Sequence, residues 1–323
     1  MLLPAALLLL LALTNPSLTF PRNIHNFIFV LDITGSMNVV DVAVDGNSMR
    51  RLDFGKQLVR KALDEMSCSS RAGLAVFTEH RTFMLFAPVE ICENHLVIST
   101  MIDELDGRMA WAELSEVAKG LYSGIEAVSA LVAMDGEGAP GEANLVFLTD
   151  GHEAPPVHPT LRPRFRGESG QAGGMIAGIG GSEPVPIPYL DEEGNVAGYW
   201  AQDEVMQVDR HSAGRPSTQG TEAMAGVDSG DVQDRIAKGA EHLSSLRESY
   251  LQTLATETGL DYLRTTTSDA FADALLSARY ATRQRIPTSV AWLPAALSLL
   301  CLVYLFGSQL LRARAATGAR ARR

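Results

Sequence analysis

An open, doubly wound α/β domain, with a mostly parallel sheet covered by helices on both faces, is the fold this sequence predicts. Three observations point to it. Residues 26–32, 144–151 and 174–181 are apolar runs without polar alternation, the pattern of strands buried on both faces. Apolar residues at helical spacing fill the intervals between them. The first two runs lead into acids, Asp32 and Asp150, which are therefore expected beyond the carboxyl ends of parallel strands, where such sheets bind ligands.

The elements follow in order. Residues 2–13, LLPAALLLLLAL, are too short for the ~20-residue helix that crosses a bilayer. With the breakers that follow, they read as an export signal within residues 1–19, or as a short anchor. After the strand ending at Asp32 comes a polar loop, then a helix over residues 51–66 with Leu52, Leu58, Val59, Ala62 and Leu63 on one face. Residues 72–77 and 81–86 form a hairpin and give the sheet an antiparallel edge. Helices are expected over residues 94–105 and 115–133. Residues 246–259 are a helix stopping at Gly259, residues 260–264 a strand, and residues 268–281 a last helix.

Two insertions interrupt the rhythm. Residues 152–172 hold four prolines, which forbid a regular helix over most of their length. Residues 203–240 are polar and rich in Gly, Ser, Asp and Gln, as in a long excursion.

Residues 289–311 carry no charge over 23 positions and read as a transmembrane helix. Residues 312–323 hold five arginines and no acid, which makes this basic tail cytoplasmic. The chain would then be a single-pass protein of the inner membrane with its ectodomain in the periplasm. Setting those five arginines aside takes the formal charge from -11 to -16, against the basic footprint that nucleic acid requires. Of three cysteines, Cys301 falls in the span. Cys68 and Cys92 flank the hairpin on the exported side, where a disulfide between them is expected.

Thr34 and Ser36 follow Asp32 at alternate positions, adding two hydroxyls to its carboxylate. Oxygen donors of this kind suit a hard divalent cation. Each residue also has a plainer role: Asp32 as a turn cap, Ser36 or Ser115 as a helix N-cap, Asp150 with Gly151 as a turn pair. The glycines at 178, 180 and 181 lack the full dinucleotide pattern and a following helix, and no nucleophile elbow or phosphate loop is present.

The segment DITGS resembles the Asp-x-Ser-x-Ser signature of von Willebrand factor A domains, and LTDG their second acidic loop. SEVAKGL places Ser115 where the family usually has a threonine. MIAGIGGSEPVPIPYLDEEGN and YLQTLATETGLDYLR resemble the closing elements of membrane-anchored bacterial members encoded near MoxR-type ATPases. The resemblance extends over residues 24–282. It implies a metal site of Asp32, Thr34, Ser36, Ser115 and Asp150 holding Mg²⁺ or Ca²⁺, and a protein partner that offers the metal a carboxylate. It implies binding rather than catalysis.

Cys68 through Cys92, RMAWAELSEVAKGL and TDGHEAPP are similar to the MxaL type, which would make the partner a quinone-dependent methanol dehydrogenase or its accessory proteins, and the process its maturation by calcium insertion. This type has Cys68 and Cys92 in corresponding positions. The alternative is a general Bat-type protein of envelope stress or complex assembly, with a MoxR-type ATPase as a candidate cytoplasmic partner. Near the site, Trp111 and Met109 read as packing, or Trp111 as a partner contact if it stands at a rim. His152, Glu153 and His158 lack the HExxH spacing and read as loop residues, with partner contact as the sharper role for His152 and Glu153. A metal-dependent hydrolase would need His152 as its base.

Overall fold

The computed structural model describes residues 2–44, 46–111, 114–135, 143–157, 162–205 and 240–320. The first half of the chain runs α1 (Leu2–Leu13), β1 (Ser17–Asp32), β2 (Val40–Val44), β3 (Asn47–Arg50), α2 (Arg51–Glu65), β4 (Arg71–Thr78), β5 (Arg81–Glu90), α3 (Ile91–Glu104) and α4 (Val117–Asp135). There follow β6 (Asn144–Thr149), β7 (Gly174–Gly178), β8 (Val185–Pro186), β9 (Pro188–Leu190), β10 (Val196–Tyr199) and β11 (Leu243–Ser244). The chain continues with α5 (Glu248–Thr258), β12 (Asp261–Arg264), α6 (Ser268–Leu275), β13 (Ala281–Ser289) and α7 (Trp292–Arg320).

Two compact units result, one of them Ile24–Thr282. Its sheet has the order β12-β7-β6-β1-β4-β5, parallel at every step except the β4–β5 hairpin. Side chains alternate faces along a strand. Phe27, Phe29 and Leu31 of β1 pack with Leu52, Leu58, Ile98 and Phe271 of α2, α3 and α6. Ile28 and Val30 pack on the other face with Leu121, Ile125, Leu251 and Leu254 of α4 and α5. Both faces of β1 are thus covered, which is why its sequence shows no polar alternation. Each such side chain contributes roughly 1.5–3 kcal/mol on burial.

Several boundaries differ from the sequence reading. The helix expected from residue 94 begins at Ile91, where the Glu90 side chain accepts from the backbone N–H of Glu93 and caps it. The helix expected from residue 115 begins at Val117, because Ser115 is held instead in bridges to Glu79 and Ala154. Residues 40–50, read as a loop, form the β2–β3 hairpin. Strand β1 starts at Ser17 rather than 26, because β13, remote in sequence, pairs with it. Between residues 152 and 172 the described part contains no helix, as the prolines require, whereas residues 206–239 lie outside the described residues.

The other unit comprises the residues up to Asn23 and those from Arg283 on. Here the Ser298 hydroxyl, buried against α1, donates to the Ala5 carbonyl at 2.9 Å. The backbone N–H of Val290 donates to the Pro16 carbonyl at 2.8 Å. The helix expected to run to residue 281 stops at Leu275. From Ala281 the chain is a strand, with β-branched Thr282, Ile286 and Thr288, and Pro287 bars a helix there. The predicted span over residues 289–311 overlaps α7, which starts at Trp292. Among the described residues no helix is long and apolar enough to cross a membrane.

Cys68 and Cys92 are bonded, with Cα atoms 5.3 Å apart, closing a loop of sequence separation 24 around the β4–β5 hairpin. Loop-closure entropy makes such a bond worth about 3 kcal/mol. A Cys68→Ser/Cys92→Ser variant should unfold in urea with a stability lower by that amount; an unchanged midpoint would show that the bond is not formed.

Candidate functional site

The parallel pairing of β1 with β6 sets Leu31 opposite Leu148, so the next residues, Asp32 and Thr149, meet at the carboxyl edge of the sheet. The Thr149 hydroxyl donates to Asp32 Oδ2 at 2.6 Å. Beyond Asp32 the chain turns at once. The Thr34 backbone N–H and hydroxyl donate to Asp32 Oδ1 at 2.9 and 2.7 Å, and Thr34 Oγ1 lies 3.4 Å from Ser36 Oγ on the following short 3-10 turn. Asp32, Thr34 and Ser36 are all buried.

Asp150 follows β6 directly. Gly151 then takes φ 78°, where a Cβ would also come within 2.9 Å of Leu251. The strand can therefore end here in a tight turn that only glycine fits. The Asp150 carboxylate accepts from the His152 backbone N–H at 2.9 Å and from the Ser244 hydroxyl at 3.0 Å. Its main partner was not singled out in the sequence. Arg51, the first residue of α2, is wholly buried and donates Nη1 to Asp150 Oδ2 at 2.5 Å. Its Nη2 reaches Asp41 Oδ2 on β2 at 2.6 Å, and Nη1 also reaches the Ser244 hydroxyl at 2.7 Å. The glycines after β7 make this possible. A Cβ on Gly180 would stand 2.8 Å from Arg51 Nε, and the Gly181 N–H donates to Asp41 Oδ2 at 2.8 Å.

The two acids consequently differ in charge state. Burial pushes Asp32 up, and the nearby Asp150 charge adds to it, outweighing the bonds from Thr149 and Thr34; its pKa is raised to about 7. Burial opposes the Asp150 charge too, but the Arg51 guanidinium overcomes it and holds this carboxyl below the usual range. Opposite charges favour ionisation and desolvation disfavours it, and here each acid is governed by a different one of the two.

Ser115 completes the group. Its hydroxyl donates to the His152 carbonyl at 2.8 Å, and it lines a cavity of about 510 Å³ together with Thr34, Ser36 and His152. The sequence-predicted set is thereby brought together: two acids beneath, three hydroxyls on the wall. Trp111 stands at the same cavity, 60% exposed, in an edge-to-face pair with Phe83 whose ring centroids are 4.7 Å apart. His152 is buried, and burial lowers its pKa to about 4 against the opposing pull of Asp150 and of the Glu241 backbone. His158 lies outside the described residues.

Glu153 turns away from this cavity. Its carboxylate accepts from Tyr250 Oη at 2.5 Å and from the Ala118 N–H at the start of α4 at 3.0 Å. Burial nevertheless raises its pKa to about 7. The native state then binds this proton more tightly than the unfolded chain, so stability falls as pH rises from about 4.5 to 7. Glu153→Gln should remove that part of the decline, on the order of 2 to 3 kcal/mol. Chemical denaturation at pH 5 and pH 8 tests this, and an equal decline in variant and wild type would refute it.

No family model and no curated protein matches this chain. Solved structures do. An aerotolerance-related membrane protein from Bacteroides fragilis NCTC 9343 is 16% identical, covering 77% of this chain and 95% of that one at a TM-score of 0.44. BatB, a conserved hypothetical protein from Bacteroides thetaiotaomicron, is 17% identical over 77% of this chain and 94% of that one, TM-score 0.45. A von Willebrand factor type A structure from Catenulispora acidiphila is 9% identical over 81% of this chain and 44% of that one, TM-score 0.42. At these values no residue role passes from them to this chain. What stands on its own geometry is an α/β domain with a mostly parallel sheet, whose carboxyl edge gathers the buried Asp32 and Asp150, the hydroxyls of Thr34, Ser36, Ser115, Thr149 and Ser244, and the buried Arg51.

Proposed function

We propose that this domain is a von Willebrand A-type binding module that uses a divalent cation, Mg²⁺ or Ca²⁺, to grip a carboxylate of a protein partner. One observation carries the reading. Asp32 and Asp150 are buried side by side, the bonded cation Arg51 serves Asp150, and among the described residues no cationic side chain is bonded to Asp32. Buried charge without a partner is costly, and a cation held by the oxygens of Asp32, Thr34 and Ser36, with Ser115 and Asp150 beside them, would offset it.

The donor set fits. The Thr34 and Ser115 hydroxyls give their protons to Asp32 and to the His152 carbonyl, which leaves their lone pairs available. Thr149 fixes the orientation of Asp32 from below, and Arg51 fixes Asp150 from the side. When bound, the cation supplies a positive centre with a coordination position left for an incoming carboxylate. Binding rather than hydrolysis is favoured because His152, the base a hydrolase would need, is buried and a weak proton acceptor.

We retain the general membrane-anchored, Bat-type role, which needs only a cation site and a tether. Maturation of methanol dehydrogenase would add a partner-specific surface that no residue of the site identifies. In this reading α1 and α7 serve as the tether, and what supports it is their exposed Leu3, Leu10, Leu300 and Phe306, the kind of apolar surface that meets lipid. An N-terminal segment retained for this purpose is the anchor reading of residues 1–19. Calorimetric titration with Mg²⁺ and Ca²⁺ tests the site: heat of binding in the wild type that is lost in Asp32→Asn is expected, and no heat in the wild type refutes it.

A further inference from the structure

The cavity over the hydroxyls is larger than a cation requires. A water occupies about 30 Å³, so 510 Å³ has room for an ion, its remaining waters and several side chains of a ligand. Its walls also differ in character. Thr34, Ser36, Ser115 and His152 are gathered over the two buried acids, whereas Trp111, Leu114, Pro155, Ile187, Tyr189 and Trp200 give the rest of the lining its apolar surface.

The apolar wall is built rather than incidental. Tyr189 packs on Trp200 with ring centroids 5.4 Å apart, the Trp200 N–H donates to the Ile187 carbonyl at 3.1 Å, and the Ile187 N–H donates to the His242 carbonyl at 3.0 Å. These residues belong to a segment outside the main sheet, in and beside the β9–β10 hairpin, so the core fold does not require them there. Trp111 reaches the cavity from the loop before α4, braced edge-on by Phe83 and bonded through Nε1 to Glu79 at 3.4 Å. Aromatic side chains that stay partly open to solvent around a mostly apolar pocket with a few convergent polar groups mark a ligand subsite.

Charge narrows the ligand. Glu204, Glu241 and Arg108 line the same cavity and Glu79 stands behind Trp111; Arg108 Nε is held by Asp106 at 2.7 Å, so acids outnumber cations around the cavity and a run of acids would be disfavoured. A single carboxylate is assigned to the hydroxyl end, where the proposed cation site lies.

We infer that the cavity takes a protein segment in which one Asp or Glu lies within two residues of a large apolar side chain, the carboxylate going to the hydroxyl end and the apolar group to the Trp111–Tyr189–Trp200 wall. The carboxylate half rests on the cation site proposed above; the aromatic half does not.

The test uses the full-length protein in detergent and a displayed peptide library with a fixed Asp or Glu between randomised positions, selected in Mg²⁺ and in EDTA. Mg²⁺ binding is measured separately by calorimetry. Enriched sequences should carry Phe, Trp, Tyr, Leu or Met within two positions of the acid, and should bind at least roughly tenfold more tightly than their alanine counterparts. Trp200→Ala, or Trp111→Ala on the opposite wall should the first variant misfold, should abolish that preference while Mg²⁺ affinity stays as in the wild type. Enrichment without an apolar neighbour, a preference that survives both variants, or no enrichment overturns the inference. Apolar sequences selected equally in EDTA, with no Mg²⁺ heat, would remove the cation reading and leave the aromatic subsite standing.

Discussion

Replacing Arg51 by Met lowers the stability of the fold by roughly 3 to 5 kcal/mol, the cost of removing one partner from a buried ion pair. The side chain is wholly buried and joins parts of the chain far apart in sequence: Asp41 on β2, Asp150 after β6 and Ser244 on β11. Without it Asp150 loses the charge that holds its pKa down, and two carboxylates are left beside one another under a desolvating shell. The melting temperature should drop by about 10 °C. Added Mg²⁺ should recover more stability in the variant than in the wild type, since the cation then neutralises both acids. Arg51→Lys should fall between the two, because an ammonium cannot reproduce the fork that serves Asp41 and Asp150 together. A variant as stable as the wild type in chelator would show that this network is not formed.

Asp32→Asn should act in the opposite direction on stability and abolish the proposed function. The amide keeps an acceptor for Thr34 and removes a charge that burial and Asp150 both oppose. The wild-type acid, with a native pKa raised to about 7, holds its proton more tightly folded than unfolded. In chelator the wild type is therefore destabilised as pH rises from about 4 to 7, and it stays so above that. The variant should be more stable than the wild type at pH 8 by on the order of 3 kcal/mol, and the difference should vanish near pH 4. Saturating Mg²⁺ should reverse the ranking, stabilising only the wild type through binding to the native state. Denaturation curves at both pH values, with and without Mg²⁺, decide the matter; a variant that still responds to Mg²⁺ would place the cation elsewhere.

Much of this site was legible in the sequence because its signals are local. An unbroken apolar run ending at an acid, as in residues 26–32, reports a strand buried on both faces whose tip is polar, and two such runs imply a shared edge. The Thr34 and Ser36 spacing survives folding because the turn that follows Asp32 is closed by Asp32 itself. Where the reading failed, the deciding contact was remote. Ser115 could be read as the start of a helix, yet bridges to Glu79 and Ala154 hold it in an extended segment. Glu153 looked available to a partner, yet Tyr250, 97 residues on, takes its carboxylate inward. The helix expected over residues 268–281 ends early and residues 281–289 form a strand that the local pattern does not show, because nothing in that stretch announces β1 as a pairing partner.

By itself the sequence determined the class of fold and the acid and hydroxyls at the tip of β1, since each follows from a pattern within a few residues; the Cys68–Cys92 pairing was an expectation from their place around the hairpin, and Ser115 entered through the family resemblance. The tertiary structure decided which of two similar aspartates carries a protected charge. An arginine at the start of a helix can be assigned to Asp150 rather than Asp32 only when chains 99 and 193 residues away have been folded around it. The reason is physical: desolvation and ion pairing act through space, and at this edge they set two carboxylates on opposite sides of their ordinary pKa.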